Sequence, residues 1–205
     1  GYNKSLFKCN REEFMKAFLT ALCFTLLTQV FAASAKDLNK TVKVKMETNY
    51  GNIVLELNQQ KAPVTVKNFL KYTDNKFYEG TVFHRVINNF MIQGGGLTAD
   101  MKKKVTLPEI KNEADNGLKN EVGTIAMART NSVDSATSQF FINLKDNDFL
   151  NHKGKNPRDY GYTVFGKVIK GMTVVNRIKI AATTSKNGRQ NVPMEPIVIK
   201  KVTRL

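Results

Sequence analysis

Short apolar alternations, each closed by turn residues, restrict what this chain can fold into more than any other feature. Val42, Val44 and Met46 alternate with Lys43, Lys45 and Glu47; after Asn49-Tyr50-Gly51-Asn52 the same period resumes in Ile53, Leu55 and Leu57. A period of two gives a strand one core-facing side and one polar side, and Asn and Gly between two such runs make a turn, so residues 41–57 predict a hairpin. Further strands are predicted at 81–87, 90–94, 123–129, 138–144, 162–168 and 196–203. Two helices interrupt them. Pro63 suits a first helical position, with Val66, Phe69 and Leu70 on one face behind it; residues 171–179 put Met172, Val175 and Ile178 on one face after Gly171. Many short strands bounded by Gly, Asn and Asp predict a mainly β sandwich or closed barrel. No Pro- or Gly-rich linker divides residues 36–205, which therefore read as one domain.

The first 35 residues read as a leader. From Met15 the chain runs MKAFLTALCFTLLTQVFAASA: Lys16 supplies positive charge, Ala17 to Phe31 are mostly apolar, and Ala33-Ser34-Ala35 fits small-residue cleavage. The apolar run is short against the roughly 20 residues of a bilayer span, so a cleaved signal peptide is expected ahead of an uncleaved anchor or a buried helix. The start lies at Met15 or within Gly1 to Phe14. Cutting after Ala35 removes both cysteines, Cys9 and Cys23, so the mature domain carries no thiol nucleophile and no disulfide. It leaves a soluble product expected in the periplasm, without a membrane span.

Composition closes off several classes. Charged residues at 24% and apolar ones at 41% are globular values, which exclude wholesale disorder and a multi-span membrane protein. The net charge of +15, with a pI near 9.8, raises nucleic-acid binding. The leader takes Lys4, Lys8, Arg11 and Lys16 with Glu12 and Glu13, so the mature chain stays strongly basic. Its lysines (Lys43, Lys45, Lys102 to Lys104, Lys200, Lys201) are scattered and lack interleaved aromatics, which fits a solvated basic surface better than a nucleic-acid face. His84 and His152 are the only histidines, so no metal site is expected. Gly94-Gly95-Gly96 is not followed by Lys-Ser/Thr and points to close backbone packing, not phosphate binding.

Four blocks carry the chemistry: Phe83-His84-Arg85-Val86-Ile87-Asn88-Asn89-Phe90-Met91-Ile92-Gln93-Gly94-Gly95-Gly96; Gly123-Thr124-Ile125-Ala126-Met127-Ala128-Arg129; Ser138-Gln139-Phe140-Phe141-Ile142; and Phe149-Leu150 with Tyr162-Thr163-Val164-Phe165-Gly166-Lys167-Val168. In this order, from about Val42 to Leu205, the chain resembles the cyclophilins, the peptidyl-prolyl cis–trans isomerases, and residues 97–121 look like the bacterial branch. The resemblance implies an eight-stranded closed antiparallel barrel capped by two α-helices, with an active groove on its outer face. It implies Arg85 as the catalytic cation and Phe90, Met91, Phe141 and Leu150 as walls of a proline pocket. Gln93 and Gln139 would bond substrate or hold Arg85, and Ala128 with Arg129 would offer backbone contacts to the residue before proline. Phe149 stands where eukaryotic members commonly have Trp, which implies weak cyclosporin binding. Tyr162 stands where the family often has His. The expected partners are proline-containing unfolded or loop segments of exported proteins, met by a monomer without cofactor.

The chemistry fits those residue types on physical grounds. Rotation about an X–Pro bond crosses a barrier of about 18–20 kcal/mol without lasting bond breakage. An apolar pocket can grip the ring, and a fixed donor can favour the twisted amide, whose nitrogen has regained its lone pair. A planar, always-charged guanidinium aimed at that nitrogen binds the transition state better than the planar ground state. No nucleophile or metal is needed. The rival classes are a non-catalytic peptide-binding module on the same barrel, and a nucleic-acid-binding or ribonuclease-like barrel using His84 and His152. Arg85, Gln93, Gln139 and Phe141 are all present, which favours turnover. His84 is expected to be structural and His152 to be solvated in the loop NHKGKNPRDYG.

Overall fold

The computed structural model describes residues 41–205; the expected leader, the cut after Ala35 and the first residues of the domain lie outside them. Strands β1 (Val42–Thr48) and β2 (Gly51–Leu57) form a hairpin paired from Val42 opposite Leu57 to Thr48 opposite Gly51. Helix α1 (Pro63–Asp74) follows, then β3 (Thr81–Ile87), β4 (Met91–Thr98), β5 (Thr124–Met127) and β6 (Phe140–Asn143). A 3₁₀ turn (Asp148–Leu150) leads to β7 (Val164–Lys170), α2 (Met172–Lys179), β8 (Thr183–Lys186), β9 (Arg189–Pro193) and β10 (Ile199–Arg204).

Eight strands form one antiparallel sheet in the order β10-β1-β2-β7-β5-β6-β4-β3. Its two ends nearly close. Val82 bridges Val198, the Phe83 N–H donates to the Ile197 carbonyl at 2.9 Å, and the Gly80 N–H donates to the Ile199 carbonyl at 2.9 Å. This near-closure covers part of the free edge that β3 and β10 would otherwise present. The interior is apolar: Val44, Met46, Ile53, Leu55, Phe83, Ile92, Ile125, Phe140, Ile142 and Phe165 are all buried there. Helix α1 turns Val66, Phe69 and Leu70 into the same core, where the Phe69 ring lies 5.8 Å from Phe140 and 5.4 Å from Phe165. Helix α2 adds Val175 and Ile178.

Ala62 gives α1 no side-chain cap; Glu113 supplies one from the long loop between β4 and β5. Its carboxylate accepts from the Val64 N–H at 3.0 Å, the Thr65 N–H at 2.9 Å and the Thr65 hydroxyl at 2.7 Å. An anion on the free N–H groups of a first turn is favourable, and here it also ties the loop to the barrel.

Besides shifted strand ends, such as β4 running on to Thr98 and β5 stopping at Met127, the structure departs from the sequence expectations in two stretches. Tyr162 and Thr163 lie in a loop, with β7 starting only at Val164. Residues 183–193 form a separate two-stranded hairpin whose first strand is wholly exposed. Its turn is Asn187-Gly188, with φ of 50° and 73°, the positive pair that a tight hairpin turn requires.

Candidate active site

The groove is built on the outer side of the same strands that fill the core. On β4 Ile92 points inward while Met91 joins an outer cluster, and on β6 Phe140 points inward while Phe141 points out. Met91, Ala126, Phe141, Leu150 and Val164 form this second apolar cluster, with Phe90, Ala128 and Tyr162 packed against it.

Arg85 reaches the outer side through a β-bulge. Phe83 pairs with Gly94 and Arg85 pairs with Gln93, so β3 spends two residues where β4 spends one, and His84 is the extra residue. Plain alternation from the core residue Phe83 would turn Arg85 into the barrel; the inserted residue turns it outward beside Gln93. The exposed Arg85 then donates through Nη1 to Gln93 Oε1 at 3.4 Å, and Gln93 Nε2 donates to Gln139 Oε1 at 3.0 Å. Gly96 makes room for this relay, because a Cβ there would sit inside the Gln139 side chain. Gly95 has φ of 81°, and a Cβ on it would lie 2.6 Å from the Phe140 ring.

Arg85, Phe90, Met91, Gln93, Ala128, Arg129, Phe141, Leu150 and Tyr162 line one cavity of about 180 Å³. Two further residues expected in the site sit at its borders. Phe149, 59% exposed, stacks on Phe90 with ring centres 5.6 Å apart, and Gln139 faces an adjoining space along Ala128 and Arg129. Tyr162 meets Phe141 edge-on at 5.7 Å. The Ala128 N–H donates to the Gln139 carbonyl at 2.9 Å, so this backbone donor is already satisfied within the protein.

Three supports were not read from the sequence. The Arg129 guanidinium lies 4.8 Å from the Tyr162 ring centre and donates to the carbonyls of Gly161, Thr130 and Pro157, each at 2.9 Å, so its side chain fixes the wall carrying Tyr162. Buried asparagines hold the rim: Asn147 donates to the Phe90 carbonyl at 2.9 Å, Asn120 donates to the Leu150 carbonyl at 3.2 Å, and Asn143 links the two. His152, expected in water, is half-buried, with Nδ1 2.8 Å from the Tyr160 carbonyl and its ring edge-on to Tyr160. It braces the loop.

His84 is 5% exposed and its Nδ1 is buried without a hydrogen-bond partner. Burial, followed by the charges of Arg189 and Arg85, pushes its pKa down to about 4 against an opposing backbone hydrogen bond to Val82. It is therefore neutral near pH 7 and sits behind Arg85. Among the described residues no three His, Cys, Asp or Glu side chains converge as a metal site, and no helix is long and apolar enough to cross a membrane.

The family described as cyclophilin type peptidyl-prolyl cis-trans isomerase/CLD matches residues 43–204. The chain is 52% identical over 189 residues to "Peptidyl-prolyl cis-trans isomerase A" of Dickeya dadantii, covering 92% of this chain and 95% of that one. It is 55% identical over 160 residues to "Peptidyl-prolyl cis-trans isomerase B" of Escherichia coli, covering 78% and 98%. Among solved structures it resembles a Cryptosporidium parvum cyclophilin type peptidyl-prolyl cis-trans isomerase crystallised in the presence of the dipeptide Ala-Pro, with a TM-score of 0.64, 28% identity and coverage of 78% and 96%. With this match spanning nearly all of the barrel, the chain belongs to the cyclophilin-type peptidyl-prolyl cis–trans isomerases.

Proposed function

We propose that this isomerase accelerates rotation about X–Pro bonds in unfolded or loop segments of exported proteins, with Arg85 as the catalytic residue. One observation carries this reading: a cavity walled on one side by the apolar Phe90, Met91, Phe141 and Leu150 has the relay-held guanidinium of Arg85 at its polar edge. The walls take the pyrrolidine ring and exclude water from it. The guanidinium donates to the amide nitrogen, which accepts only when the bond is twisted, so the contact favours the transition state over either planar isomer. Gln93 and Gln139 keep the donor aimed, and the Ala128 carbonyl together with the backbone of Arg129 binds the residue before proline. Phe149 forms an open rim with reduced grip on cyclosporin. The reaction needs no proton transfer and no cofactor, and a monomer contains every residue named.

A protease-coupled assay on an Ala-Pro-Phe peptide tests the catalytic part: the wild type accelerates cleavage of the cis fraction, and no acceleration at any enzyme concentration overturns it. The charge, apolar run and small-residue site of residues 15–35 support export to the periplasm. Amino-terminal sequencing of protein from the envelope fraction tests it. A start at or near Lys36 is expected, and a cytoplasmic product retaining Met15 overturns it.

A further inference from the structure

Beside the proline cavity, and sharing Arg85 and Gln93 with it, the β8–β9 hairpin borders a second, open space against β3 and β4. It measures about 460 Å³ and is lined by His84, Arg85, Gln93 and Gln139 from the barrel and by the hairpin from Gly188 to Asn191, Arg189 included. Val192 and Pro193 are buried, so the second strand of the hairpin is anchored while its turn stands free. The Asn187-Gly188 turn then places Arg189 directly after it, facing the space.

The electrostatics of this space are one-sided. Two guanidinium groups line it and no carboxylate does; among the described residues neither Arg85 nor Arg189 belongs to an ion pair. His84, whose Nδ1 is buried and unpartnered, lines the same space. Two uncompensated cations on a shared concavity raise the local concentration of anions.

The neighbouring spaces give the direction of the chain. Both flanking spaces touch Gln93 and Gln139; they differ in that the one along Ala128 and Arg129 does not touch Arg85, whereas the hairpin space touches Arg85 but neither Ala128 nor Arg129. A peptide with its proline between them, and its preceding residue on the backbone of 128–129, leaves past Arg85 toward the hairpin. We propose that the hairpin space is a subsite for an acidic side chain directly following the proline, and that Arg189 is the residue that selects it. This rests on the reading of the proline cavity given above.

Two peptides identical except for Glu or Gln directly after the proline test the proposal, with affinity read by calorimetry and isomerisation by NMR exchange. The Glu peptide is expected to bind roughly two- to fivefold more tightly, the range of a solvent-exposed charge pair. That preference should shrink as salt is raised. Arg189→Glu should reverse it, and Lys61→Ala, which removes a positive charge from a different exposed site, should keep it. Equal binding of the two peptides by the wild type, or an unchanged preference in Arg189→Glu, overturns the subsite. Isomerisation of both peptides with equal affinity removes the subsite alone. If neither peptide is isomerised, the catalytic reading falls while the affinity ratio still decides the subsite.

Discussion

Strands β4, β5 and β6 present two faces that are equally hidden from solvent and differently satisfied. Phe140 is 0% exposed and Phe141 4%, and Ile92 is 0% exposed and Met91 2%, so burial does not tell core from site. Neighbours do. Phe140 faces the rings of Phe69, Tyr78 and Phe83, at 5.8, 5.7 and 6.0 Å, whereas Phe141 meets one ring, Tyr162, and otherwise borders the cavity. Close packing leaves the inner side chains no room for a ligand. The outer cluster keeps a gap, and a gap beside one directed cation is what a proline ring can use.

Truncation should separate the two faces most strongly. Phe140→Ala leaves a cavity inside a packed core and is expected to cost about 3–5 kcal/mol of stability. Phe141→Ala widens a space already open to solvent; its denaturation midpoint should fall much less, while kcat/KM falls at least about tenfold through lost grip on the ring. Equal loss of stability in the two variants breaks the distinction.

Arg85 should show the next largest effect, in the pattern of Phe141 and opposite to that of Phe140. A charge-assisted hydrogen bond made only in the transition state is worth about 2–4 kcal/mol, so Arg85→Ala should lose at least about tenfold in kcat/KM. Because the side chain is exposed, its melting temperature should stay near wild type. Arg85→Lys should recover little, since an ammonium lacks the planar fork. Undiminished activity in either variant removes Arg85 from the chemistry.

His84, one residue away, belongs to the stability side of the comparison. Its folded pKa of about 4 lies below the ordinary 6.5, so between these values the unfolded chain binds a proton that the folded chain refuses. Stability is then full above about pH 6.5 and falls as pH drops toward 4, by up to about 3 kcal/mol. Urea denaturation across this range should show the slope in wild type and a flatter one in His84→Gln, which should keep most activity at neutral pH. An identical slope in both breaks this assignment.

The inner face was the more legible of the two. Alternation in Val42 to Leu57 and the helical spacing of Val66, Phe69 and Leu70 follow from burying one side of each element, so the barrel strands and both helices could be read directly. The outer site was readable only through the order of its motifs, because nothing in the period of FHRVI announces a bulge at His84. That bulge depends on the register against β4, a contact outside the strand itself. The β8–β9 hairpin escaped because its exposed Thr183-Thr184-Ser185-Lys186 has no apolar period, although Asn187-Gly188 is a turn signal that could have found it. The asparagines of the rim and the Arg129 clasp gave no local signal. Polar residues in a loop look alike in sequence whether they face water or bury their amides in one another.

Phe149 offers the smallest and sharpest test, because it lies on the outer face yet is 59% exposed and contributes little to either cluster. Its ring stacks with 25° between planes on Phe90, at 5.6 Å, and Phe90 itself lines the cavity. A Trp at this place would extend the flat surface and add an N–H donor, both of which serve a large cyclic ligand more than a small ring already seated deeper. Phe149→Trp is therefore expected to tighten cyclosporin binding severalfold or more, without a comparable gain in turnover, and to leave the melting temperature near wild type. Fluorescence titration would measure it conveniently, since the chain has no other Trp. If wild type and variant bind the inhibitor equally, Phe149 is not at the rim that meets a large ligand, and the outer face is narrower than the cavity suggests.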